Sequence, residues 1–148
     1  MTVFACVRCR TSLTNDLDEV QFEELPEPVA PSDLQPGEPC PAWVPSGKFA
    51  VDVDPVGPPY VWSEDEGLLV SAGPRNTVLI SPDDLLVRRL HPDDKRHNGC
   101  CGPAGHDGPN LVCNCGAALA TESSDCWTAQ VVRLQPLAVV RTDGAWNP

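Results

Sequence analysis

Proline sets the first limit on this chain. The stretch PEPVAPSDLQPGEPCPAWVP, residues 26–45, carries seven prolines in twenty residues. A proline ring fixes φ and removes a backbone donor, which bars it from helix interiors and central strands. Residues 26–45 must therefore run as an extended surface loop. Cys40 and Trp43 are expected to pin that loop, with Trp43 docked against the sheet and residues 26–37 mobile. The 17 prolines of the whole chain argue against long helices anywhere. A chain of 148 residues can bury one real core. Nothing marks a second domain or an internal repeat.

The remaining segments read as short strands. FACVRC runs from a strand at Phe4 into a tight turn, and EVQFEEL (residues 19–25) alternates like a half-exposed strand. KFAVDVD places Phe49, Val51 and Val53 on one face and Asp52 and Asp54 on the other. YVWS, GLLVSA and NTVLIS follow, separated by EDEG and GPRN with glycine turn chemistry. CWTAQVVRLQ and PLAVVR supply late strands. One short helix is predicted near 82–90, with Ser81 as N-cap, Pro82 at the first helical position, Asp83 and Asp84 in the first turn and Arg88 and Arg89 in the last. The expected fold class is all-β, built of small antiparallel sheets.

Charge narrows the choice of partners. The net charge is −11, and residues 1–66 hold thirteen Asp or Glu against Arg8, Arg10 and Lys48. Such a surface repels phosphate, so neither nucleic acid nor an anionic membrane is the expected partner. An unidentified protein or small molecule is. No apolar run approaches the roughly 20 residues of a membrane span, and MTVFACVRCR lacks the apolar core of a signal peptide. A cytoplasmic location is therefore expected. There thiols stay reduced, and clustered cysteines more often bind metal than one another.

Eight cysteines then become informative. Cys6 and Cys9 form C-x2-C, at which two thiolates from one turn can reach the same ion. Cys113 and Cys115 form C-x-C, followed by Gly116, which lets backbone N–H groups turn toward the sulfurs. Together they supply the four ligands of a tetrahedral structural Zn2+. Such an ion would tie the start of the chain to its late strands and stabilise a small, proline-rich domain. One alternative makes Cys113 or Cys115 a small buried residue and recruits Cys100 or Cys101 as fourth ligand. A second site built from His97, Cys100 or Cys101, and His106 is weighed against close packing of that Gly-rich loop under the knuckle, which is preferred. Asp107 and Asn110 are expected to bond backbone groups in turns.

FACVRCRTSL and LVCNCGAALA resemble the paired zinc knuckles of the β-tent superfamily, which includes methionine sulfoxide reductase B and the cereblon ligand-binding domain. The resemblance covers about twenty residues, and the second knuckle is one residue shorter than the family's Cys-x-x-Cys. It implies two knuckles at the joined ends of antiparallel sheets, sharing one zinc. It also raises a reductase alternative, with Cys126 as nucleophile and Cys40 or Cys100 as resolving thiol. Asp125 beside Cys126 opposes thiolate formation, and the reductase's catalytic motif is absent. An aromatic cage from Trp43, Trp62, Trp127 and Trp146 is the other option that the resemblance brings; core packing of the four is preferred. The reading is a single zinc-stabilised β domain over residues 1–148, acting as a non-enzymatic binding or protein-interaction module.

Overall fold

A computed structural model describes residues 1–54, 60–71 and 74–142. Among them, eleven short strands form three sheets. The largest has the order β2 (Asp18–Glu19), β3 (Lys48–Asp52), β6 (Thr77–Ile80), β10 (Val131–Leu134), β9 (Ala118–Ser123), β8 (Leu111–Val112) and β7 (Arg89–Leu90). Every pairing in it is antiparallel except β2 with β3. β1 (Val3–Cys6) pairs antiparallel with β11 (Val139–Thr142), so the first and last strands meet. β4 (Tyr60–Ser63) and β5 (Leu68–Ser71) make a separate hairpin. The protein is mostly β, with several sheets.

Apolar residues from both ends of the chain share one core. Phe4, Leu13, Leu17, Phe49, Ile80, Leu111, Leu119, Val132 and Leu134 are all buried in it. Phe4 and Phe49 meet edge to face, with centroids 5.0 Å apart and planes at 84°. That geometry sets a ring edge against a ring face, as the aromatic quadrupole prefers. Arg141 lies 4.9 Å from the Phe49 centroid and pairs with Glu19 at 2.6 Å, which links β11 to β2 and β3.

Several segments depart from the alternation of their sequence. β3 lies between β2 and β6, so both its edges are hydrogen-bonded, and its burial does not alternate. Ala50 and Asp52 are buried, while Val53 lies beyond the strand and is exposed. Asp52 can be buried because Arg133 Nη1 donates to it at 2.9 Å. A buried carboxylate without such a partner would be costly. EVQFEEL is a strand only at its start, through Glu19; Phe22–Glu24 form a 3₁₀ turn. There Phe22 packs edge-on against Trp43 instead of joining the sheet.

The helix expected near 82–90 is a single 3₁₀ turn, Pro82–Asp84, and Arg89–Leu90 is strand. The N-cap reading holds locally, since Ser81 Oγ accepts from Asp83 N at 3.3 Å. Long-range bonds then take over. Asp84 accepts from Ser46 Oγ at 2.9 Å and from Gly47 N at 2.8 Å, and Leu86 N donates to Leu13 O at 2.7 Å. A helix this short has too few internal bonds to compete with them.

The proline-rich loop at 26–45 has no regular element beyond the turn Pro31–Asp33. Trp43 packs with Phe22 and Leu25 against Val44, Leu79 and Val131, and its Nε1 donates to Pro26 O at 2.9 Å. The first part of the loop is also tied down, because Ser32 N donates to Cys126 O at 2.8 Å. None of the described tryptophans joins the main core. Trp62 is 63% exposed and Trp127 75%, and the phenylalanine pair takes the place expected for them. Trp146 lies outside the described residues.

Candidate metal centres

Two tight turns bring the first group of cysteines together. In the N-terminal turn, Ala5 bridges to Ser12 and Cys6 N donates to Thr11 O at 2.9 Å. In the late turn, Val112 pairs with Ala118 and Cys113 N donates to Ala117 O at 2.8 Å. Each turn is closed again inside. Arg10 N donates to Cys6 O at 2.9 Å, and Gly116 N donates to Cys113 O at 2.8 Å. The residue after the second cysteine has positive φ in both, 67° at Arg10 and 91° at Gly116. The turns are built alike, and the second is one residue shorter throughout. The C-x-C spacing is absorbed by that tighter turn.

The result is a compact tetrad. The sulfurs of Cys6, Cys9, Cys113 and Cys115 all lie within 4.8 Å of one another. Cys6 and Cys115 sulfurs are 3.7 Å apart, and those of Cys9 and Cys113 are 3.4 Å apart. Four sulfurs around one ion at about 2.3 Å would stand about 3.8 Å from each other. The group can hold a metal ion. Cys6 and Cys113 are fully buried, Cys115 is partly buried and Cys9 faces solvent.

The four thiols differ in how readily they ionise. Hydrogen bonds from the Thr11 hydroxyl and backbone, and then from Cys113, lower Cys9 to about 6. Burial comes first in pushing Cys113 up to about 12, with the neighbouring thiols adding to it. A buried thiolate is costly alone, and a bound cation removes that cost. Cys9, at the solvent side, is the thiol of the four most easily ionised, and buried Cys113 resists ionisation.

A second group lies elsewhere. Cys100, Cys101, Asp125 and Cys126 also have their ligand atoms within 4.8 Å of one another and can hold a metal ion. Cys100 Sγ is 3.0 Å from Cys126 Sγ and 3.5 Å from Cys101 Sγ. Asp125 is buried, and its Oδ1 accepts from Cys101 N at 3.0 Å and Cys126 N at 2.8 Å. Those two amides come first in holding its carboxyl down at about 2. Cys126 and then Cys101 and Asp125 push Cys100 up to about 12. At Cys126 the bond with Cys100 lowers the pKa, but burial, Cys101 and the charge of Asp125 outweigh it and raise the thiol overall.

This second group corrects the expectation for the Gly-rich loop. Cys100 and Cys101 are exposed and do not pack under the knuckle. Neither His97 nor His106 belongs to either group. Cys126, read as part of a strand, sits in a turn that Thr128 N closes on Asp125 O at 3.2 Å. Asn110 is not a turn residue but a fully buried clamp. Its Nδ2 donates to Glu122 O at 2.9 Å and its Oδ1 accepts from Glu122 N at 2.7 Å. Asp125 is the member that sequence reading missed. Its adjacency to Cys126 was the available signal, read only as a charge opposing ionisation. Cys40 stands apart from both groups, with its sulfur 3.4 Å from Val29 O.

No family model matches the chain, and neither a curated protein nor a solved structure matches it.

Proposed function

We propose that the protein is a non-enzymatic binding module stabilised by a structural Zn2+ on Cys6, Cys9, Cys113 and Cys115. The observation that carries the reading is the convergence of four sulfurs within 4.8 Å from two turns more than a hundred residues apart in sequence. An all-thiolate, largely buried set suits zinc in a closed tetrahedral site and leaves no open position for a reacting water. The paired construction of the two turns supports the likeness to β-tent zinc knuckles. Elemental analysis of protein purified under reducing conditions should find about one zinc per chain at this tetrad. Zinc retained in full by a Cys6→Ser, Cys9→Ser double variant would overturn the reading.

The β4–β5 hairpin supports a role in interaction. Trp62 faces Leu69 across it, and both are exposed, as are Tyr60, Val61 and Leu68. Glu64, Asp65 and Glu66 occupy its turn. An apolar strip beside three carboxylates suits a protein segment that is apolar with basic flanks. The alternative, a thiol-dependent oxidoreductase using Cys126, draws support from the 3.0 Å between Cys126 and Cys100 sulfurs. It is the weaker reading, because both thiols are held protonated where a nucleophile needs the thiolate.

A further inference from the structure

The loop at 98–105 is built to present two adjacent thiols to a third. Asn98 O accepts from Ala104 N at 2.8 Å, which closes the loop on itself. Asn98 Nδ2 donates to Lys95 O at 3.0 Å and to Asp107 Oδ2 at 2.9 Å, which fixes its base. A Cβ at Gly99 would run into Gly102 O, so only glycine admits this path. The closed loop then docks on the end of β9. Ser124 N donates to Pro103 O at 2.9 Å, and Ser123 Oγ donates to Ala104 O at 3.2 Å. Asp125 Oδ1 bridges the two segments through the amides of Cys101 and Cys126.

Adjacent cysteines ordinarily point apart, yet here the sulfurs of Cys100 and Cys101 are 3.5 Å from each other. Cys126 Sγ completes a triangle at 3.0 Å from Cys100. That separation exceeds the roughly 2.05 Å of a disulfide, so the three sulfurs are free thiols. Three thiols converge at the surface, held by a buried carboxylate whose Oδ1 is already engaged with backbone amides.

We propose that Cys100, Cys101 and Cys126 form a second, open metal site that binds a soft, thiophilic monocation of the Cu(I) type, with Asp125 as the residue that positions the thiols. Three sulfur donors match an ion satisfied by trigonal thiolate ligation, whereas Zn2+ in a protein site is almost always four-coordinate. Asp125 is a hard oxygen donor, and its work with the Cys101 and Cys126 amides suits it to orienting ligands rather than serving as one. Binding releases the thiol protons and forms three Cu–S bonds, with no change in oxidation state. Cys100 and Cys101 are exposed, so the ion can enter and leave without unfolding. This site goes beyond the structural tetrad and does not depend on it.

The full chain, as purified with its own metal, would be titrated anaerobically with Cu(I) against a colorimetric Cu(I) chelator in the presence of a phosphine reductant. Elemental analysis would follow zinc and copper separately. The expected result is about one Cu(I) bound per chain, with thiolate-to-copper absorption in the ultraviolet and the original zinc retained. Cys100→Ser and Cys126→Ser should each weaken Cu(I) binding at least tenfold and leave zinc content unchanged. Asp125→Asn should weaken it less and preserve the absorption band. Copper that binds only by displacing zinc, or equally well to Cys100→Ser and Cys126→Ser, would overturn the proposal. So would a second Zn2+ that binds these three thiols more tightly than Cu(I) does. A chain lacking zinc but binding Cu(I) through Cys100 and Cys126 would overturn only the structural-zinc reading.

Discussion

The two cysteine groups differ in where their members come from. The tetrad draws Cys6 from the end of β1, Cys9 from the turn after it, and Cys113 and Cys115 from a turn between β8 and β9. Two of its four thiols are fully buried against the main core. The second group takes Cys100 and Cys101 from one surface loop and Cys126 from a neighbouring turn, and its only buried member is Asp125. Sulfurs that bridge distant segments within a core act on the whole fold, whereas sulfurs that bridge two local loops act on those loops. The difference separates a group set within the core from one that the protein holds out to solvent.

The sharpest way to break this contrast is to remove one thiol from each group. If the tetrad holds the proposed metal, Cys113→Ser should cost more than about 4 kcal/mol, since it removes metal and core contact together. Cys126→Ser should cost less than about 1 kcal/mol in the same denaturant experiment, as most changes near the surface do. Equal losses in the two variants would erase the distinction.

A smaller effect sharpens it. Asn110 joins the segment leading to Cys113 with the strand leading to Asp125, through two bonds to the Glu122 backbone. Asn110→Ala leaves a buried N–H and a buried carbonyl without partners, at a cost of about 2–4 kcal/mol. Chemical denaturation should show that loss while zinc content stays constant. A loss of zinc in the folded variant would show that the tetrad depends on this clamp.

The smallest effect separates the two knuckles of the tetrad. Arg10→Gly relieves a non-glycine residue at φ 67° but gives up the interaction of the Arg10 side chain, so it should cost less than the reverse change in the other turn. Gly116→Ala imposes that conformation at φ 91°, where a Cβ meets nothing within 4 Å, and should lower stability by about 1 kcal/mol. Thermal melts in which Arg10→Gly costs as much as Gly116→Ala would show that the turns are not equivalent.

Much of this could be read from the sequence where chemistry is local. The C-x2-C and C-x-C spacings singled out the four thiols that the fold brings together, and proline content pointed to short strands and loops. Non-local effects were hidden. Alternation in KFAVDVD implied a solvent-facing Asp52, yet it is buried, with Arg133 from β10 as its partner. The cap signal at Ser81 was real, but bonds from Asp84 to Ser46 and Gly47 decide the path of the chain beyond it. Cys126 lies about 25 residues beyond the adjacent Cys100 and Cys101, and the loop closure that joins them leaves no spacing signature.

The pairing of Cys6 and Cys9 with Cys113 and Cys115 also has a consequence in time. A ribosome adding roughly 5–20 residues per second needs on the order of 5–20 s between the first turn and the second. Through that interval the early thiol pair is on its own, with half a coordination sphere and no strand β11 to cover it. An ion caught then is held by two ligands and is easily lost or exchanged. If the tetrad takes up a metal, durable loading must wait for the late turn to emerge, and metal supply at the close of synthesis would govern how much of the chain matures.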